Sequence, residues 1–98
     1  MDDLDRLPCI KQGLWFYGGV TCCHVRIVRD QMLHGSHDAD DPPELALDRM
    51  MDCFYVRYDL PHAPRQPADW HDGGAALSLR EAVFLAERRL GPSIHWND

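Results

Sequence analysis

The clearest periodic element of the chain is LSLREAVFLAERRLGP, residues 77–92. Leu79, Ala82, Val83, Ala86 and Leu90 fall on one stripe at helical spacing. Ser78 and Glu81 form an S-x-x-E capping box, which satisfies orphan amides at a helix start. Gly91 and Pro92 supply the stop. A single helix with one apolar stripe covers one face of a sheet. The other strong patterns in the chain are strands, so the constraint is immediate: an α+β layer pair with a second sheet face that needs its own account.

The strands show as runs and alternations. GLWFYGGV (13–20) is aromatic-rich and ends in two glycines, which suits a strand leading into a turn or bulge. In TCCHVRIVRDQML (21–33), Cys23, Val25 and Ile27 alternate with His24 and Arg26, the period of a strand with one buried face. MDCFYVRYDL (51–60) repeats the pattern, with Phe54 and Val56 opposite Tyr55 and Arg57. Residues 1–12 read as an irregular lead-in, PHAPRQPADWHDGG (61–74) as a long loop, and SIHW (93–96) as a short final strand. Asp41-Pro42-Pro43-Glu44 has a capping residue and proline at the first helical position. A short helix is expected there, with Leu47, Met50 and Met51 at helical spacing. The expected fold is a single α+β domain over residues 1–98. It has an antiparallel sheet of three to four strands with one C-terminal helix packed on one face.

With Cys23, Val25, Ile27, Phe54 and Val56 under the helix, the opposite face carries His24, Arg26, Tyr55 and Arg57. One of Trp15 and Phe16 joins it. Tyr, Trp and Arg together are the composition of an interface or a ligand platform, although a solvated antiparallel face carries such residues too. The binding or interface candidates are therefore Trp15, Tyr17, Arg26, Tyr55 and Arg57. Phe84 joins them as an aromatic off the helix stripe, between Arg80 and Arg88. The 61–74 loop adds Trp70 and His71 as the candidates of a rival ligand-binding or enzymatic site.

Catalytic and metal motifs are absent. His34-x-x-His37 lies in a loop, HExxH is missing, and Asp38 and Asp40 begin an EF-hand pattern that Pro42 breaks. No metal or other cofactor is expected. Cys9, Cys22, Cys23 and Cys53 form no CxxC pair and read as free buried thiols. Cys22 and His24 share a strand face but stand about 7 Å apart, too far for a thiolate and its base. No GxxxxGK[ST] or GxGxxG phosphate loop occurs. Asp69, His71 and Asp72 around Trp70 have residue types suited to acid–base work with Tyr55 or Arg57, without any spacing that joins them. A non-enzymatic binding module is the expected function.

Net charge bounds the partners. The chain carries one lysine and nine arginines against sixteen acids, a net charge of −6, with no basic run. Nucleic-acid binding needs a basic face, so neither DNA nor RNA is an expected partner, and a basic protein is easier to accommodate. No apolar run reaches about 18 residues, so no membrane partner is expected. MDDLDRLP lacks the basic end and apolar stretch of a secretory leader, which makes a cytoplasmic protein the expectation.

Two resemblances add to this reading. The WFYGG opening, the DCFYVRYD strand and the SLREAVFLAERRLGPSIHW ending resemble the short orphan proteins of integron mobile gene cassettes. That likeness implies a compact α+β homodimer in a bacterial host and assigns no functional residue. FYVRYDLP, a glycine-containing loop and SLREAVFLAERRLG are similar to HicB-type antitoxins, where a strand ending in an Asp-x-Pro turn leads to a capped helix. That likeness implies an α+β fold and a small basic toxin as partner. The loop before the helix is longer here than in that family.

Overall fold

The structure, a computed structural model, describes residues 6–63, 65–66, 69–91 and 93–97. Its elements are β1 (Cys9–Tyr17), β2 (Thr21–Leu33), α1 (Pro43–Ala46), β3 (Arg49–Tyr58), β4 (His71–Ala76), α2 (Leu79–Leu90) and β5 (His95–Asn97). The strands form one antiparallel sheet in the order β4-β3-β2-β1-β5. Among the described residues no helix is long and apolar enough to cross a membrane.

The α+β architecture matches the expectation; the strand count does not. The sheet has five strands instead of three to four, and the short strand expected after the helix is β5. The additional strand is β4, whose HDGGAA sequence has no β-branched residue. Pairing with β3 overrides that poor propensity. A Cβ on Gly73 would stand 2.7 Å from Val56 Cγ1, so the glycine is what lets β4 close on β3. Gly13 does the same for β5, since a Cβ there would meet His95 O at 2.6 Å. The lead-in is also shorter than expected, because β1 begins at Cys9 with a register shift before Lys11.

The helix after Asp41 is shorter than its pattern suggests. α1 ends at Ala46, and Met50 and Met51 belong to β3, which pairs with the end of β2. A four-residue helix is a costly nucleus with few bonds, and the sheet ladder wins those residues. Its N-cap is Pro42 with no side-chain cap, not Asp41. The Asp41 carboxylate instead accepts the Ser36 hydroxyl at 2.6 Å.

α2 follows its sequence signals closely. Ser78 Oγ accepts from Glu81 N at 3.1 Å, and the Glu81 carboxylate accepts from Leu77 N at 3.4 Å, one residue before the cap. Gly91, at φ 107, donates to Glu87 O at 2.9 Å and ends the helix. Pro92, the other expected stop signal, lies outside the described residues. Ala82 and Ala86 are fully buried against the sheet. The helix packs over β4, β3 and β2. Beneath it lie Trp15, Cys23, Val25, Ile27, Val56 and Ala76, with Phe54 and Tyr58 at the margin.

The opposite face is divided in two. At one end Val28, Cys53 and Tyr55 form a second apolar cluster under Leu7 and Leu33. The Tyr55 hydroxyl donates to Met32 O at 2.9 Å and accepts from His34 N at 3.0 Å, tying down the irregular end of β2. The other end is polar and uncovered by any helix.

Burial pushes the Tyr55 phenol up to about 12 from its ordinary 10. The folded state therefore keeps a proton that the unfolded chain releases near pH 10, so the stabilisation present below that pH is lost as pH rises from 10 towards 12. Urea unfolding of Tyr55→Phe should show a loss of about 1–2 kcal/mol at neutral pH, from the two missing hydrogen bonds. The same variant should lose less stability than the wild type between pH 9 and pH 11; equal losses would show that Tyr55 does not carry the effect.

Candidate functional site

The polar end of the open face contains a concavity of about 580 Å³. Leu14, His24, Arg26, Asp59, His62 and Trp70 contribute to its lining. The register explains why they meet. Leu14 pairs with His24, and Gln12 with Arg26, across β1 and β2. Arg26 pairs with Arg57 across β2 and β3. Continuing the β3 alternation from Tyr55 through Arg57 places Asp59 on the same face, directly beside His24. After β3 the chain brings His62 and Trp70 to the same lining.

Asp59 is the centre of this arrangement. It is 1% exposed, the one charged residue in the described core. A buried carboxylate needs partners to offset its desolvation. Oδ1 accepts from the His24 backbone N–H in a short hydrogen bond, and Oδ2 faces His24 Nδ1 at 3.0 Å. His62 Nε2 lies 3.5 Å from the same Oδ2. The Asp59 N–H donates to His24 O at 3.0 Å, and Trp15 Nε1 donates to that carbonyl at 3.1 Å. One residue past the end of β3 is thereby locked to both the main chain and the ring of His24.

The cationic side is built on Trp70. The Arg26 guanidinium lies 5.1 Å from the Trp70 ring centroid, and Arg57 Nη2 donates to Trp70 O at 3.2 Å. A guanidinium over an indole face is attracted by the ring's negative face. Both arginines thus position the one loop aromatic that edges the concavity.

The sequence-derived candidates separate on this map. Arg26 and Trp70 come together in the lining of the concavity, and Arg57 joins them through its bond to Trp70 O. Tyr55 shares their face but is 6% exposed, inside the second apolar cluster. Trp15 is 7% exposed in the main core under α2, and Tyr17 packs edge-on against it at the hairpin end. His71 lies in β4 and its ring packs on Tyr58, on the helix side of the sheet. Phe84 is exposed on α2, well away from the open face. Asp69 and Asp72 do not converge with His71; Asp72 instead accepts from Gly74 N at 3.0 Å.

The histidine pair of HGSHDADDPPE is absorbed into a compact loop. His37 Nε2 meets Asp48 Oδ1 at 2.9 Å, and the His34 ring packs on Tyr55. The Gly35 N–H, with His37 beside it, holds the Asp48 carboxyl below the usual carboxylate range. Among the described residues no group of three or more His, Cys, Asp or Glu side chains is placed to hold a metal ion.

All four cysteines are free thiols, but only Cys23 and Cys53 are buried; Cys9 and Cys22 are exposed. Burial, then the nearby Asp59 charge, pushes the Cys23 thiol up. Burial likewise raises Cys53. Neither buried thiol is poised as a thiolate.

Sequence reasoning placed His24 on the correct face but did not connect it with Asp59 and His62. The available signal was the alternation Tyr55, Arg57, Asp59, which runs past the last apolar residue of the strand. The missing information was the register that sets Asp59 opposite His24. No protein-family model, no curated protein and no solved structure matches this chain.

Proposed function

We propose that the protein is a binding module for small carboxylate-bearing ligands, with the open-face concavity as its site. The observation that carries this reading is the convergence of His24, Arg26, His62 and Trp70 around the buried Asp59. The volume of about 580 Å³ lies within the usual range of small-ligand clefts. Leu14 supplies an apolar part of the lining, Trp70 an aromatic one, and Arg26 the positive charge that a carboxylate pairs with. Net charge is −6, and Arg26 supplies a local positive charge at the concavity for a ligand carboxylate to meet.

Benzoate is a suitable probe, since it joins a carboxylate to a flat apolar ring. In two-dimensional ¹⁵N NMR titrations its addition should shift the His24, Arg26 and Trp70 indole signals together and saturate in the millimolar range, as an open site implies. Arg26→Gln should weaken binding about tenfold or more, the value of a charge-assisted hydrogen bond. Absence of saturation, or equal affinity in Arg26→Gln, would remove the carboxylate-site reading.

The expected homodimer finds support on a different surface. Leu79, Val83, Phe84 and Trp96 line an apolar groove between α2 and β5, and Phe84 is 61% exposed. Arg80 and Glu87 stand on its rim with opposite charges. A two-fold contact pairs each with its opposite on the second copy, so the patch is self-complementary. Sedimentation velocity at tens of micromolar should give a dimer for the wild type and a monomer for Phe84→Glu; a monomeric wild type would dismiss this surface as a self-interface.

A further inference from the structure

We infer that the open-face site hydrolyses small esters that carry a free carboxylate, with His24 as general base and Asp59 as its positioning residue. This inference rests on the carboxylate-binding reading of the same concavity.

The geometry separates a positioning role from a purely structural one. Linking the end of β3 to β2 needs only the Asp59 Oδ1 bond to the His24 backbone N–H and the return bond from Asp59 N. The second oxygen does more, because it faces the His24 ring at Nδ1. An ionised carboxylate only accepts hydrogen bonds, so Nδ1 carries the ring proton in the neutral imidazole. Nε2 then holds the lone pair. Among the described residues no group is hydrogen-bonded to Nε2, and the side chain is 59% exposed at the concavity. A base fixed in tautomer by a buried carboxylate, on a ring that lines a ligand cleft, is the arrangement that base catalysis needs.

Arg26 sets the substrate class. It lies two residues from His24 on the same strand face, about 7 Å along β2. A ligand carboxylate on Arg26 leaves an ester carbonyl a few atoms away near His24. In the reaction, His24 Nε2 takes a proton from water as the water oxygen bonds to the carbonyl carbon. The carbon–oxygen bond to the leaving group then breaks, and the imidazolium returns its proton to the departing oxygen. The products are a carboxylic acid and an alcohol or phenol, with one water consumed. The charged and titratable groups around His24 are Asp59 past β3, His62 in the following loop, and Arg26 and Cys22 on β2.

The test follows release of 4-nitrophenol from mono-4-nitrophenyl glutarate, with uncharged 4-nitrophenyl butyrate alongside. The wild type should prefer the charged ester and show kcat/KM rising with pH to a plateau. His24→Gln should lose about a hundredfold or more. His37→Gln, which removes an exposed histidine outside the site, should behave as the wild type. Asp59→Asn should lose activity and alter the pH profile. Two results overturn the inference: His24→Gln keeping half or more of the wild-type rate, or His37→Gln losing as much as His24→Gln. The tautomer needs no variant. A ¹⁵N ring spectrum of the wild type should show neutral His24 protonated at Nδ1, and protonation at Nε2 overturns the assignment. Benzoate should inhibit. If benzoate binds but no His24-dependent hydrolysis occurs, the base role fails and the binding site stands. If hydrolysis depends on His24 while benzoate neither binds nor inhibits and the charged ester has no advantage, the carboxylate reading fails and the base role remains.

Discussion

A helix about 10 Å across laid over strands about 4.8 Å apart shields two to three of them on one face. Among the described residues this protein has five strands and one helix longer than a single turn. Much of what distinguishes the structure follows from that shortage of cover. α2 lies over β2, β3 and β4, so the main core is confined to one side of those strands. The β1–β5 side of the helix layer stays open as the groove beside Trp96. On the far face, chain from the lead-in and from the end of β2 closes one end with Leu7 and Leu33. What remains is the polar end, where the described residues of the 59–70 segment bring side chains to the lining but form no helix or strand.

How much of this is legible in the sequence depends on the physical range of each signal. Local signals read well. Ser78, Glu81 and Gly91 mark α2 because capping chemistry acts within one turn. Cys23, Val25 and Ile27 mark the buried face of β2 because side chains alternate with every residue. Signals that depend on a partner read poorly. HDGGAA has no strand propensity of its own and pairs because Gly73 fits against Val56. Leu47, Met50 and Met51 have a helical spacing that yields to the ladder with β2. Trp15 and Phe16 lie in an apolar run, so only the structure separates the buried ring from the exposed one. The site is harder still, since His24, Asp59 and Trp70 converge through register and loop path. Neither is encoded by spacing along the chain.

Asp59 shows why a structural and a functional account of one residue need not compete. A carboxylate at 1% exposure is a costly way to join two strands, and an asparagine would make the same backbone bond without a buried charge. The charge gains something only through groups that respond to it, and the two imidazole rings at Oδ2 are such groups. The same charge acts on Cys23 from behind, raising the thiol that burial already disfavours as a thiolate. Negative potential from Asp59 thus selects among neighbouring nucleophiles: it keeps the buried sulfur protonated and orients the exposed imidazole. If the cleft carries chemistry, its base is a histidine and not the adjacent cysteines, although Cys22-Cys23-His24 reads in sequence as a thiol–imidazole cluster.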